Sequence, residues 1–362
     1  MSRQRVIAWI AALPALALLS CGDDGGDGGS MAGTLPGTER PQLAFFTTHP
    51  EHSEGIYDLA LSDGRGDGME TLTGGSIDGS VWPQLFTRVS WSPDGERIAF
   101  AGGPGPLDAS RQDVNDIYVV DADGSNSEQL TKVGDAGDPV WSPDGTAIVF
   151  TRLRSQEGEP FRADLWSIDA DGGEPTQLTE AADWEVDRSG SFTPDGSQLG
   201  FTRTTFEPDS ISLDETSAIH IVDADGSHAM LIDRGSDPAF SPDGERIAFA
   251  SDRDQNGELC YGDRCRLAGE LYVANADGSD PKRLTETSEL NEARPSWFPD
   301  GSRIAYQRGK VFQNAEVMSI LELNADGSCG REILKGSGDG TWYASPAWRP
   351  SEPRVGGGRL SC

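Results

Sequence analysis

An aspartate-rich segment has the spacing of a calcium-binding loop. The matching residues are Asp252, Asp254, Asn256, Gly257 and, twelfth in the count, Asp263. Alternating oxygen ligands with a glycine at a sharp turn are what Ca²⁺ requires. The template ends in a bidentate glutamate, and here the shorter Asp263 stands in its place. The segment is therefore a candidate Ca²⁺ site, and we favour the alternative of an acidic connection between two strands.

Histidines and nucleophiles offer little catalytic chemistry. His49 and His52 could bind a transition metal, but spacing identifies no third ligand, so an exposed loop is the preferred interpretation. His220 lies in a strand pattern and is interpreted as structural. The chain has no G-x-S-x-G elbow, P-loop or dinucleotide fingerprint. The sequence therefore predicts no catalytic residues, no enzyme and, apart from the possible Ca²⁺, no cofactor.

The overall charge excludes one class of partner. The 362 residues include 60 Asp and Glu against 29 Lys and Arg, a formal net charge of −31. A nucleic-acid phosphate backbone needs a basic surface, and this field would repel it. Hydrophobic residues make up 36% of the chain, which is enough for a packed core.

A repeat of about 50 residues organises the chain. Five segments read aromatic-x-Pro-Asp-Gly and a sixth is degenerate, at 91–95, 141–145, 192–196, 240–244, 297–301 and 348–350. Proline presets φ and glycine accepts a positive φ, so each Pro-Asp-Gly predicts a hairpin turn. An alternating strand follows each turn, then a third strand, an Asp-x-Asp-Gly type of turn and a short fourth strand ending in Leu-Thr.

Four short antiparallel strands per repeat predict an all-β fold, a six-bladed β-propeller over residues 41–362. The pattern starts at a second strand, at Leu43, and finishes at a first strand, at 344–348. The C-terminal strand is therefore expected to complete the first blade and close the ring.

These motifs resemble the propeller repeat of the TolB family over about residues 41–350. The shared elements are WSPDG, IAF, the Ser-Asp-Arg-Asp loop at 251–254, IY, D-DG and LT. The resemblance implies the propeller fold, which by itself serves many functions. We expect no α/β domain before the propeller and no TolA-binding peptide, so the resemblance does not imply membership of the Tol machinery.

The N-terminal segment predicts export. Arg3 and Arg5 precede an apolar stretch at 6–19, and residues 1–20 read as a signal peptide. The residues ending at Cys21 resemble the lipobox of bacterial lipoproteins, which implies lipidation of that cysteine, with an ordinary secretory signal as the alternative. Residues 21–40 read as a flexible Gly/Asp-rich tether. We expect the periplasmic face of the outer membrane as the location.

The innermost strands of a propeller line its channel. Their upstream ends, five residues before each motif proline, are Arg88, Asp138, Ser189, Asp237, Arg294 and Ser345. This mixed ring could hold a small polar ligand or a loop of a partner. A solvated channel mouth without a ligand is the alternative, and we favour it.

Four cysteines remain if Cys21 carries the lipid, and an even number in an exported protein suggests disulfides. Three connectivities are possible; we predict Cys260–Cys265 and Cys329–Cys362.

The sequence as a whole favours a monomeric, lipid-anchored scaffold that binds an envelope protein or a peptidoglycan-associated component. Long connections at 101–115, 152–163, 203–217 and 252–269 should emerge on one face of the propeller. A propeller enzyme using the channel, and a small-ligand or Ca²⁺-binding module, are the alternatives.

Overall fold

The computed structural model describes residues 42–48, 56–66, 68–73, 77–78, 88–102, 115–154, 160–206, 215–255, 258–261, 264–288, 290–309, 318–337, 341–350 and 358–362. Every regular element within these ranges is a β-strand. None of these residues belongs to a helix long and apolar enough to cross a membrane. The predicted signal peptide 1–20, Cys21, the tether and the pair His49 and His52 lie outside the described residues.

The strands form antiparallel meanders in chain order. Meander 1 contains β1 (Leu43–Thr47), β2 (Ile56–Ser62) and β3 (Glu70–Thr71), and β4 (Ile77–Asp78) also pairs with β2. Meander 2 contains β5 (Val89–Trp91), β6 (Arg97–Gly102), β7 (Asp116–Asp121) and β8 (Glu128–Gln129). Meander 3 contains β9 (Ala136–Trp141), β10 (Ala147–Arg154), β11 (Arg162–Asp169) and β12 (Thr176–Gln177).

The second half of the chain repeats this arrangement. Meander 4 contains β13 (Glu185–Phe192), β14 (Gln198–Phe206), β15 (Glu215–Asp223) and β16 (Met230–Arg234). Meander 5 contains β17 (Ser236–Phe240), β18 (Arg246–Ser251), β21 (Glu270–Asn275) and β22 (Lys282–Arg283), with the separate hairpin β19 (Glu258–Tyr261) and β20 (Arg264–Leu267). Meander 6 contains β23 (Asn291–Trp297), β24 (Arg303–Gly309), β25 (Ser319–Asn324) and β26 (Arg331–Leu334).

Pairings beyond the chain-order meanders connect more distant parts of the chain. The last strand, β27 (Tyr343–Trp348), pairs antiparallel with β1, so the two ends of the described chain share meander 1. A single parallel bridge between Ala163 and Val186 links meanders 3 and 4.

The Ser-Pro-Asp-Gly turns explain why the repeat forms hairpins. In meander 2 the Asp94 carboxylate accepts hydrogen bonds from the Ser92 hydroxyl and from the backbone N–H of Glu96. The backbone N–H of Arg97 in turn donates to the Ser92 hydroxyl, at 2.9 Å. Gly95 closes the turn with φ of 71°, which a side chain would disfavour. The motif therefore fixes its own hydrogen bonds locally.

Apolar side chains pack between consecutive meanders. One cluster places Trp297 of meander 6 against Ala239 and Leu271 of meander 5. Another places Phe298 of meander 6 against Leu43 and Trp348 of meander 1. The first strands of neighbouring meanders also lie side by side, with β27 taking this place in meander 1. Here β5 contacts β9, β9 contacts β13, β13 contacts β17, β17 contacts β23, β23 contacts β27 and β27 contacts β5. Residues distant in sequence therefore meet at these strands.

A disulfide fixes the C-terminal residues. Cys329 and Cys362 are joined across a sequence separation of 33 residues. Asn324 adds two hydrogen bonds to Leu360, as acceptor of its N–H and as donor to its carbonyl. Cys260 and Cys265 are partners in the β19–β20 register, and their pairing as a disulfide stays a prediction.

Candidate functional site

Four of the six predicted channel positions share an unusual backbone conformation. Asp138, Asp237, Arg294 and Ser345 have φ of 48°, 55°, 55° and 57°, in the left-handed region. Each precedes a proline and lies where a first strand shifts register against its neighbour, which is a β-bulge. A bulge redirects a side chain, and this backbone costs about 1–2 kcal/mol per residue. Its recurrence at equivalent positions points to a shared requirement.

Charged side chains from five of the six meanders meet near these bulges. Arg88 lies 3.0 Å from the Asp237 carboxylate, although 149 residues separate them in sequence. Arg188 lies 3.4 Å from Asp138 and 3.5 Å from Asp237. With Arg294, which acts electrostatically on both carboxylates, they form what we call the arginine–aspartate cluster: Arg88, Asp138, Arg188, Asp237 and Arg294.

The two remaining predicted positions differ in their roles. Ser345 lies at the edge of the cluster, where its hydroxyl accepts a hydrogen bond from Arg294 and its N–H donates to Gln307. Ser189 lies in β13, and it is the adjacent Arg188 that makes the ion pairs. Sequence reasoning missed Arg188 because it counted one fixed position per repeat. The signal was an arginine directly before Ser189, one of the two neutral members of the predicted ring.

The cluster is buried, and its electrostatics follow from that. Burial raises the pKa of Asp138, although Arg188, Arg294 and Arg88 act in the opposite direction. Burial also acts to raise the pKa of Asp237, but the attraction of the three guanidiniums outweighs it and lowers the pKa to about 2. Burial lowers the pKa of Arg294 to about 10 despite both carboxylates. Asp237 is thus the carboxylate to which the arginines are most strongly coupled.

Gly190 provides the backbone acceptor beneath Arg88. Its carbonyl accepts a hydrogen bond from the Arg88 guanidinium at 3.3 Å. A Cβ at this position would lie 2.5 Å from the Gly200 carbonyl oxygen and 2.6 Å from Pro238 Cγ. No side chain fits there without moving backbone.

Substituting Gly190→Ala is expected to lower the free energy of unfolding by about 1–3 kcal/mol, as overpacking does. The matched control is Gly330→Ala, whose Cβ would meet its nearest neighbours at 3.7 Å and 3.9 Å. Urea denaturation of both variants measures the difference. Equal stabilities would show that the bulge relaxes freely and that the close approach is unimportant.

The acidic segment at 252–263 is only partly described. Asp252 pairs with Arg234 at 3.1 Å, and Asp254 pairs with Arg283. Asn256 and Asp263 lie outside the described residues. Within the described ranges no group of three or more His, Cys, Asp and Glu side chains could hold a metal ion. The Ca²⁺ loop therefore stays a prediction, and any ion there would compete with two arginines.

A buried pair of glutamates lies between meanders 5 and 6. Glu270 and Glu292 are both completely buried, and Thr287 hydrogen-bonds to each. Arg308 lies 2.6 Å from Glu292. Burial and the negative charge of Glu270 raise the pKa of Glu292 to about 7. Sequence reasoning missed this pair because its members belong to different repeats and match no motif.

Three aromatic rings form a half-buried group, which we call the aromatic cluster. Phe161 lies 5.1 Å from both Trp184 and Phe206, centroid to centroid, in edge-to-face contacts. The Trp184 N–H donates to the Phe161 carbonyl, and the Phe206 N–H donates to the Trp184 carbonyl. Trp184 has φ of 68°, an uncommon value for a bulky residue. The cluster borders the long connections that precede β11 and follow β14.

Comparison with known proteins agrees with this architecture. No protein-family model matches the chain. It is 27% identical to a TolB homologue of Chlorobium luteolum over 314 residues, which cover 83% of this chain and 62% of that protein. It is 28% identical to the uncharacterized peptidase YuxL of Bacillus subtilis over 184 residues, 50% of this chain and 24% of that protein. A solved TolB structure from Agrobacterium tumefaciens matches with a TM-score of 0.53 at 16% identity, covering 86% of this chain and 99% of that one.

The antiparallel meanders and the matched structure define the fold class as an all-β propeller. More closely, the chain is a TolB-like β-propeller, as the resemblance in its repeats predicted. The chain spans less than two thirds of the length of these curated relatives. No peptidase activity is therefore assigned to this chain. The described residues contain no recognisable catalytic constellation.

Proposed function

We propose that this protein is a scaffold of the cell envelope that binds a protein partner. The binding surface would be the face of the propeller that carries the long connections between second and third strands. The observation that carries the proposal is the aromatic cluster. Half-exposed aromatic rings are the side chains most often found at the energetic centre of protein interfaces. A strained Trp184 backbone in such a cluster is typical of a functional constraint.

The proposal includes a ring of six blades closed by β27. The pairing of β27 with β1 supports it, as do the contacts of β27 with β23 on one side and β5 on the other. In a closed ring every second strand ends at the same face. The connections after β6, β10, β14 and β18 then share that face with the aromatic cluster. A rigid ring carrying long loops is the usual design of a binding surface.

The charge of the chain and its N-terminal sequence complete the proposal. A formal net charge of −31 favours a partner with a basic surface, because complementary charge accelerates association. Lipidation of Cys21 would hold the propeller at a membrane in the envelope. The Cys21→Ser variant is expected to leave the membrane fraction.

Crosslinking with the full-length chain as bait tests the proposed interaction. We expect one envelope protein to be captured saturably, with crosslinks in the connections 155–161 and 207–215. Trp184→Ala should reduce its apparent affinity by about tenfold or more, as for a hot-spot aromatic residue. Trp166→Ala is the matched control. It removes a half-buried tryptophan of meander 3, whose ring lies against Arg152 and Arg154 of the same meander.

Near-ultraviolet circular dichroism confirms that both variants are folded before they are compared. A partner that binds Trp184→Ala as well as the parent, or crosslinks confined to the Pro-Asp-Gly turns, would contradict the assigned face. The absence of any saturable partner would contradict the scaffold function itself.

A further inference from the structure

The outer strand of meander 4 exposes apolar side chains. Met230 and Leu231, at the start of β16, are 56% and 60% exposed, and among the described residues Met69 is the one other exposed large hydrophobic side chain. Within the described strands β16 pairs with β15 alone. An edge strand directs every second backbone N–H and C=O away from its neighbour. The start of β16 therefore offers apolar contact together with backbone hydrogen bonds.

The equivalent edge is polar in every other meander. Met230 stands opposite Ile221 of β15, and Leu231 stands opposite the preceding residue, His220. At the matching register positions the other five outer strands carry charged, amide or hydroxyl side chains: Glu70 and Thr71, Glu128 and Gln129, Thr176 and Gln177, Lys282 and Arg283, and Arg331 and Glu332. Polar and charged edge residues discourage pairing with another chain. Meander 4 lacks this protection at two adjacent positions.

The geometry of the strand does not require the apolar pair. The register shift in β16 recurs in β26 of meander 6, and there the two positions hold Arg331 and Glu332. The apolar residue that packs against meander 5 is Ile232, which follows the pair. The fold therefore accepts charged residues at these positions, and the exposed pair points to an interaction.

The next meander limits the open edge to the start of β16. A Cβ at Gly278 would lie 3.1 Å from the Ile232 carbonyl oxygen, so a turn of meander 5 packs there. The Arg234 carbonyl accepts hydrogen bonds from Ser251 and Arg253. The open stretch is short, and it suits an extended segment of a few residues. A second copy of the chain is disfavoured, because a stable dimer buries at least about 1,200 Å² and both copies carry a formal net charge of −31.

Negative charge lies next to the open edge. Asp223 and Asp225 belong to the turn directly before β16. The hydrogen bond with His228 lowers the pKa of Asp223, and the hydrogen bond from Ser227 lowers the pKa of Asp225, so both carboxylates are ionised at neutral pH. A segment that carries positive charge is therefore complementary to this edge.

We propose that the start of β16 binds an extended, basic segment of a partner protein, in which apolar side chains alternate with lysine or arginine. The apolar side chains pack on Met230 and Leu231, and the backbone of the segment extends the sheet of meander 4. Its basic side chains lie near Asp223 and Asp225.

This surface is separate from the aromatic cluster. Met230 pairs with Ile221 near the end of β15, whereas Phe206 of the cluster pairs with Glu215 at its start. The six residues from Glu215 to Ile221 place the two surfaces about 20 Å apart along the strand. The two proposals are therefore tested independently, and failure of one leaves the other standing.

Methionine-methyl NMR of the full-length protein tests the site at constant ionic strength. The probes are three acetylated and amidated hexapeptides: Lys-Val-Lys-Val-Lys-Val, Lys-Ser-Lys-Ser-Lys-Ser and Glu-Val-Glu-Val-Glu-Val. We expect the Lys-Val peptide to shift the Met230 methyl resonance saturably, with the methyl of Met69 unchanged. The Lys-Ser peptide should bind about tenfold or more weakly, because it lacks the apolar contacts. The Glu-Val peptide should not shift the resonance, because its charge is repelled.

Leu231→Thr removes half of the apolar pair and keeps both the charge and the Met230 signal. It should weaken binding of the Lys-Val peptide by about fivefold or more. Met69→Gln, at a side chain that is 42% exposed in meander 1, is the matched control and should bind the peptide within about twofold of the parent. Equal melting temperatures confirm that both variants are folded.

Three outcomes would overturn the proposal: equal binding of the Lys-Ser and Lys-Val peptides, equal binding of the Glu-Val peptide, or parental affinity in Leu231→Thr. Sedimentation velocity distinguishes the occupant. We expect a monomer, and a dimer that Leu231→Thr dissociates would assign the edge to a second copy of this chain instead.

Discussion

Replacing Asp237 with asparagine is expected to lower the free energy of unfolding by about 3–5 kcal/mol, the usual cost of removing one member of a buried ion pair. Asp237 is the carboxylate that Arg88 and Arg188 both approach, and its side chain is only 9% exposed. Asparagine has nearly the same shape, so packing changes little and the loss is electrostatic. Denaturation in urea, followed by tryptophan fluorescence, measures it.

Asp252→Asn is the matched control for this prediction. Asp252 also pairs with an arginine, but the side chains of Arg234 and Asp252 are 54% and 34% exposed. A surface ion pair contributes only about 0–1 kcal/mol, so this variant should be nearly as stable as the parent. If the two aspartates proved equally dispensable, the cluster would not contribute to the stability of the fold.

A second large effect is expected from pH. The pKa of Glu292 rises from its ordinary value of 4.5 to about 7 in the folded chain, first because of burial and then because of Glu270. Between those two pH values the folded state keeps the proton and the unfolded state has lost it. The contribution of this group to stability is therefore fully present below about pH 4.5, and it is lost as pH rises to about 7. A pKa difference of this size corresponds to about 3 kcal/mol.

Glu292→Gln isolates this contribution, because other carboxylates also titrate in the same range. The variant keeps an oxygen acceptor for Thr287 and loses its ionisation. We expect the free energy of unfolding of the parent to fall relative to that of Glu292→Gln as pH rises from about 4.5 to about 7. Glu286→Gln, at a side chain that is 76% exposed, should follow the parent. Parallel pH profiles for parent and Glu292→Gln would refute the raised pKa.

The propeller class could be predicted from the sequence because its signals are local. In the turn at residues 92–97, Ser92, Asp94 and Gly95 make their hydrogen bonds within six residues of one another. The strand that follows, Arg97–Gly102, is apolar and buried after its first residue, over the same short distance. Each repeat therefore specifies its own hairpin, and the spacing of the repeats indicates the architecture.

The positions of the candidate site were also accessible, but its chemistry was not. Counting five residues back from each motif proline located Arg88, Asp138, Asp237 and Arg294 at the innermost strands. The sequence interpretation favoured a solvated channel mouth at these positions. In the structure these side chains are largely buried and paired. The count also placed Ser189 where Arg188 makes the contacts, because Gly190 provides the bulge in that strand.

By itself, then, the sequence determined the repeat, the turns and the strands, since these depend on contacts between residues close together in the chain. Only the tertiary structure decided which charges meet. Arg88 finds Asp237 across 149 residues of sequence, and Glu292 lies beside Glu270 of the preceding meander. Such contacts depend on how separate meanders pack and where their strands bulge. Burial then sets their energies, because the cost of a buried charge depends on how much water the fold excludes.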